Sequence, residues 1–336
     1  MRLLITLLLL PLLTAASPSR VVTGLPFADP APTGQADLLA RVLFTSNRMG
    51  EGDPCECPSI PLGGLAQEAA LVGQLRAEAP GFWFDSGNRL FKLDMAMTGT
   101  EEAARRLKAI LMIDAGGVAG LDAMGVGRLD LGAGLAYLQT LARRAPFPLL
   151  SANLLDDQDQ QIFQPSLLVT HGDRVVGVTS VLPGDASGLG FHATDPHKAA
   201  RAQVALLREQ GAELVVVLSN LGMDADKALA RASKADLVLG SHSRELTDDG
   251  VTVGRAVLGQ AGSRGKYLGE ARWYARGPGK GPHVVLTTRP VYSEAPEHPD
   301  VVRLVQGTHK RLEDPVLGLP GVPMNRVDDP RLKGAR

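Results

Sequence analysis

Between residues 37 and 290, short apolar runs alternate with stretches of helical period. The spacing of the apolar positions predicts strands over 39–45 and 81–85, and helices over 63–79, 101–113 and 133–144. A strand over 147–153 ends in Ser-Ala-Asn, and 167–170 with 175–181 form a hairpin around His171-Gly172-Asp173. The next stretch is clearer: an amphipathic helix over 199–210, a buried strand over 213–219, a helix over 225–232 and a second buried strand over 236–240. Three later runs, 251–258, 266–274 and 283–288, read as antiparallel strands, and a helix is expected over 298–312. Continuous apolar strands mixed with alternating ones imply a layered α/β fold with mixed sheets and loops at the strand ends.

The two ends differ from this body. Met1-Arg2 precedes an apolar run over 3–13, followed by Thr14-Ala15-Ala16-Ser17. That is the order of a secretory signal peptide, and the run falls short of the roughly 20 residues of a bilayer span. The chain therefore divides into a signal peptide over 1–16, a lead-in over 17–36 rich in Pro, Gly, Ala and Ser, and a main domain over 37–292. A helix and Pro-rich tail occupy 293–336. The expected location is the periplasm or the cell exterior, with no membrane span in the mature chain.

Composition narrows the function classes. With 35 basic and 36 acidic side chains among 336 residues, and aromatics at 4%, neither a nucleic-acid polymer nor an anionic membrane is an expected partner. Two cysteines exclude a disulfide-stapled small domain. Gly125-Val126-Gly127-Arg128-Leu129-Asp130 lacks the third glycine of a dinucleotide fingerprint, and Gly277-Pro278-Gly279-Lys280-Gly281 has no Ser or Thr after the lysine. No Gly-x-Ser-x-Gly elbow is present. His171, His192, His197, His283, His298 and His309 show no metal-ligand spacing, and Arg105, Arg106 and Lys108 read as a solvated helix face.

What remains is an ordered set of loop segments: Leu43-Phe44-Thr45-Ser46-Asn47-Arg48-Met49-Gly50, Gly63-Gly64-Leu65, Phe84-Asp85-Ser86-Gly87-Asn88, residues 124–134 and Leu149-Leu150-Ser151-Ala152-Asn153. These are followed by Val217-Leu218-Ser219-Asn220-Leu221-Gly222, Leu237-Val238-Leu239-Gly240-Ser241-His242-Ser243-Arg244 and residues 260–269. In this order, from about Leu39 to Tyr292, they resemble the secreted 5′-nucleotidase and UDP-sugar hydrolase family of calcineurin-like metallophosphoesterases. The resemblance implies a four-layer α/β/β/α sandwich. The family's separate C-terminal substrate domain is read as missing, and the helix over 298–312 resembles the linker that leads into it.

In that family Asp, His and Asn side chains hold two divalent metals, such as Mn or Zn, that activate a water against phosphorus. Residue by residue, the family's Asp-x-His stands here as Asn47-Arg48-Met49, its bridging Asp as Asn88 and its Asn-His pair as Arg128-Leu129. Its single His before Leu-Gly is Asn220, and its Gly-His-x-His continues as Ser241-His242-Ser243-Arg244. His242 alone keeps the expected type. A guanidinium ~4 Å from a doubly charged ion costs roughly 8 kcal/mol at an effective dielectric of ~20. The expectation is therefore no metal, no cofactor and a lost hydrolytic centre, with metal-dependent hydrolysis of nucleotides or sugar nucleotides as the alternative.

Two readings stand for the substituted loops. Arg48, Arg128, Arg244 and His242 can form an anion pocket for a phosphate-containing small molecule, or the arginines can pair with carboxylates such as Asp85 and Asp130. The second singular feature is Asp53-Pro54-Cys55-Glu56-Cys57-Pro58. A bridge between residues two apart is tight and readily reduced, and two thiolates there can also hold a soft metal. A bacterial subgroup related to these hydrolases has a similar Cys-x-Cys loop, which implies redox chemistry and a redox partner protein. A loop staple without chemistry is the other reading of Cys55 and Cys57.

Overall fold

The structure, a computed structural model, describes residues 37–55, 60–92, 99–275 and 283–313. The signal peptide, the lead-in, Cys57 and the tail after Glu313 lie outside the described residues.

The elements follow the expected alternation. Leu38–Thr45 (β1), Leu65–Glu78 (α1), Gly81–Asp85 (β2), Gly99–Val118 (α2) and Ala123–Gly125 (β3) come first, then a single 3₁₀ turn, Arg128–Leu131. Leu135–Arg144 (α3), Leu149–Leu150 (β4), Leu154–Leu155 (β5), Ser166–His171 (β6), Arg174–Val181 (β7), Ser187–Gly188 (β8) and Phe191–Ala193 (β9) lead into the second half. That half contains Pro196–Glu209 (α4), Leu214–Ser219 (β10), Met223–Ser233 (α5), Leu237–Gly240 (β11), Val251–Val253 (β12), Ala256–Gln260 (β13), Tyr267–Tyr274 (β14), His283–Pro290 (β15) and Pro299–Leu312 (α6). One six-stranded sheet has the order β15-β14-β1-β2-β3-β4, and the other has β12-β13-β11-β10-β7-β6.

The alternation within each strand explains the layers. In β1 and β2, Val42, Phe44, Phe82 and Phe84 point toward Val176, Val178, Leu214, Val216 and Leu218 of the other sheet. Leu43 and Trp83 point the opposite way, into a core with Leu65, Val72, Leu111 and Met112 of α1 and α2. In β10, Val215 and Val217 pack outward against Val204 and Leu207 of α4 and Leu229 of α5. Both faces of these strands are buried, so the sequence reads as unbroken apolar runs. Helix, sheet, sheet and helix stack with three cores between them, the four-layer sandwich that the sequence implied. Helix α6 packs on α1 and α2 and buries Val301 in the first core.

Three expectations change. Residues 251–258 form two strands rather than one, because Gly254 at φ 63° turns the chain between β12 and β13. The second of these, β13, runs parallel to β11. The strand expected over 147–153 stops at Leu150, because Ala152 donates its N–H to Ser180 O of the other sheet. Finally, β3 pairs parallel with both β2 and β4, yet its three residues are too short to show a period.

The sheet core is tight at Gly269 of β14, where an added Cβ would lie 2.1 Å from Phe44 Cε1 and 2.2 Å from its Cζ. Gly269→Ala is expected to destabilise the fold by about 1–3 kcal/mol through overpacking. A Gly269→Ala/Phe44→Leu double variant should recover part of the loss, and additive losses in chemical denaturation would show that the two positions do not share this space.

Candidate functional site: a hydrogen-bonded junction of strand ends

Strands β1, β2 and β3 run parallel in one sheet, and β10, β11 and β13 in the other, so their C-terminal ends deliver six loops to one edge of the sandwich. Carboxyl ends of parallel strands are where ligands bind in α/β folds. The backbone there is unusual. Of eight non-glycine residues at positive φ among those described, six fall in these loops: Asn47, Met49, Asn88, His242, Arg244 and Arg264. Left-handed backbone costs a side chain other than Asn or Asp of order 1–2 kcal/mol, so other contacts must hold it.

Neutral side chains supply those contacts. The buried Asn47 carboxamide donates through Nδ2 to Gly262 O at 3.3 Å, while its Oδ1 accepts from Asn88 Nδ2 at 3.1 Å and from His242 N at 2.9 Å. Asn88 Oδ1 accepts from Leu129 N at 2.9 Å, and Asn220 Oδ1 accepts from Arg128 N at 2.8 Å. Asn220 Nδ2 donates to Ser241 Oγ at 2.6 Å, and that hydroxyl lies 2.7 Å from Ser86 O. Three asparagines and one serine thus join all six loops across the two sheets. Gly127 permits this closeness, since a Cβ there would lie 2.5 Å from Asn88 Oδ1 and 2.8 Å from Asn220 Nδ2.

The charged residues are arranged around this lattice. Arg48, fully buried, pairs with buried Glu68 of α1 at 2.8 Å and donates to Glu51 O at 2.7 Å, its guanidinium lying against Gly265. Its guanidinium is thus closed to solvent and paired. Arg128 pairs with exposed Asp185, while His242 and Arg244 are exposed. The carboxylates expected as arginine partners are otherwise engaged. Asp85 holds Arg89 at 2.9 Å and accepts from Thr45 Oγ1 and Gly87 N. Asp130 accepts from the N–H groups of Asn88, Gly127 and Leu90, which fixes the loops instead of neutralising an arginine. Burial pushes Asp130 up to about 7; its backbone hydrogen bonds oppose the shift, and Asp85 adds to it.

The donor set does not fit a pair of divalent cations. Among the described residues no group of three or more His, Cys, Asp or Glu can hold a metal. Asn47 Oδ1 already accepts two hydrogen bonds, Asn88 and Asn220 each direct an oxygen at a backbone N–H, Leu129 offers no ligand atom, and Met49 is a buried thioether. Sequence reasoning missed Ser241 and Asp130 as junction residues. Ser241 follows the Gly240 that ends β11, and nothing local marks its hydroxyl as the bridge between the sheets.

Cys55 sits beside the first loop. It is disulfide-bonded, its N–H donates to Leu62 O at 2.8 Å, and its Sγ accepts from Leu62 N at 3.4 Å. Pro54 forms an antiparallel bridge with Gly63, and Asp53 contacts His309 of α6 at 3.0 Å.

Asn47→Ala would leave Asn88 Nδ2, His242 N and Gly262 O without their partner. The expected loss is about 1–3 kcal/mol for each buried group left unpaired, read from urea unfolding midpoints. A midpoint equal to that of the parent would show that the lattice does not hold the loops.

No family model matches the chain. Among curated proteins it is 29% identical over 227 residues to a 5′-nucleotidase of Diplobatis ommata, covering 62% of this chain and 36% of that protein. It is 30% identical over 142 residues to the uncharacterized metallophosphoesterase YunD of Bacillus subtilis (strain 168), covering 39% and 30%. The chain thus spans about a third of the length of these relatives. Among solved structures, a 5′-nucleotidase precursor of Thermus thermophilus superposes with a TM-score of 0.72 at 21% identity, over 81% of this chain and 59% of that one. The chain is similar in sequence to a 5′-nucleotidase and a metallophosphoesterase, and it carries the mixed-sheet α/β fold of the superposed 5′-nucleotidase precursor.

Proposed function

We propose that this protein is a secreted metallophosphoesterase-like scaffold whose two-metal hydrolytic centre has been replaced by a lattice of neutral hydrogen bonds. One observation carries the reading: the Asn47 carboxamide, which the sequence resemblance aligns with a family metal ligand, is saturated by Asn88, His242 and Gly262. A cation entering there would have to break these bonds and would gain a neutral oxygen in place of a carboxylate. Export rests on the N-terminal apolar run, and no described helix is long and apolar enough to cross a membrane.

The test is elemental analysis of the purified protein together with phosphatase assays on a nucleotide and sugar-nucleotide panel, with and without added manganese or chelator. The expected result is substoichiometric metal and no chelator-sensitive turnover. Two equivalents of divalent metal with manganese-stimulated hydrolysis would overturn the proposal.

A second role, thiol chemistry with a redox partner protein, is supported by Cys55. It is disulfide-bonded, and the Leu62 N–H directed at its sulfur would stabilise a thiolate on reduction. The expected outcome is reduction of the disulfide by a glutathione buffer, followed by thiol alkylation and mass spectrometry. Resistance across that buffer range would leave the loop as a staple.

A further inference from the structure

Beneath the His242 loop lies a buried carboxyl that the junction does not use. Asp226, near the start of α5, has no cationic partner among the described residues. Ser219 Oγ of β10 donates to its Oδ1 at 2.5 Å, and Gln260 Nε2 of β13 donates to its Oδ2 at 3.2 Å. Gly240 of β11 leaves room for this contact, since a Cβ there would lie 2.2 Å from Asp226 Oδ2 and 2.8 Å from Gln260 Nε2. On its other side Gln260 Oε1 accepts from Ser243 Oγ at 2.9 Å, and Ser243 Oγ accepts from Met223 N, the first residue of α5, at 3.2 Å. Ser243 N in turn closes a tight turn onto Ser241 O at 3.1 Å, with His242 at φ 78° between them.

Donor and acceptor counting makes this chain directional. With Asp226 ionised, both carboxylate oxygens accept, so the Gln260 NH₂ must face it and Gln260 Oε1 must face Ser243. The Ser243 hydroxyl proton is then held inside. A proton arriving from solvent on Asp226 Oδ2 makes that oxygen a donor facing another donor. Turning the Gln260 amide by half a revolution resolves the conflict: Oε1 accepts from Asp226, and Nε2 donates to Ser243 Oγ. Ser243 then accepts from both Gln260 and Met223, and its hydroxyl proton is released to the solvent side. We propose that Asp226, Gln260 and Ser243 form a proton-sensing relay that sets the hydrogen bonding of the exposed His242–Arg244 loop. The relay is independent of whether the junction above it binds metal.

The setting places the switch in the physiological range. Burial pushes Asp226 up to about 7; the bonds from Ser219 and Gln260 pull it down, and the charge of Glu245 pushes it up again. On its own helix, Asp224 and Lys227 pair with each other at 3.0 Å. The folded-state value lies above the ordinary carboxyl value of 3.8. This contribution to stability is therefore full below that ordinary value and is lost as pH rises through about 7.

The experiment follows the Gln260 side-chain NH₂ and the backbone amides of His242, Ser243 and Arg244 by NMR in a pH titration across neutrality. The parent is expected to show one shared transition in all four groups. Asp226→Asn, in which a carboxamide stands in for the protonated acid, is expected to keep the low-pH positions throughout. His242→Asn, which removes the imidazole of the same loop and tolerates the left-handed backbone, is the control and is expected to keep the transition. Ser243→Ala, at an exposed position, should keep it at Gln260 and lose it from the loop amides. A transition that survives in Asp226→Asn, or vanishes in His242→Asn, would overturn the relay. So would loop amides that still follow Gln260 in Ser243→Ala.

Discussion

The Asn47 carboxamide is the fixed point of this architecture. Its oxygen accepts from a side chain of the first sheet's loops and from a backbone N–H of the second sheet's loops, while its nitrogen holds the carbonyl of Gly262. Buried polar groups are costly when unpaired, and here each strand-end loop contains one that only another loop can satisfy. The six left-handed residues are consistent with that mutual dependence: the lattice holds backbone shapes that the side chains would not adopt in isolation. In this chain amides and a hydroxyl join the loops without net charge.

The buried charges obey the same economy. Arg48 is drawn away from the junction because Glu68, on the helix that follows the cysteine loop, lies 2.8 Å from it in a region closed to solvent. Arg89 and Asp85 form a second internal pair, four residues apart across the end of β2. Each guanidinium is neutralised within its own loop or by the adjacent helix, so the polar edge of the sandwich carries no buried uncompensated arginine there. The exposed His242 and Arg244 present charge outward, on the loop that Ser243 connects to the buried Asp226.

The packing that positions the junction is ordinary by comparison. Two sheets share one core, each sheet shares another with its helices, and the doubly buried strands run parallel, so their ends arrive together. Gly127 and Gly269 matter for one reason: a backbone lies against another group too closely for a Cβ.

Much of this was legible in the sequence. The apolar runs of β1, β2, β10 and β11 are long and two-sided, which marks buried strands, and the order of the loop motifs carried the family resemblance. Period and motif are local properties, so the sequence alone determined the layers and the chemical character of Asn47, Asn88, Leu129 and Asn220. It did not determine partners. That Arg48 chooses Glu68, that Asp130 serves three backbone N–H groups, that Ser241 spans the sheets and that Asp226 lies under Ser243 are all decided by contacts between residues far apart in the chain. Hydrogen-bond and ion-pair partners depend on distances of a few ångströms and on exclusion of water, and only the packed tertiary structure sets either.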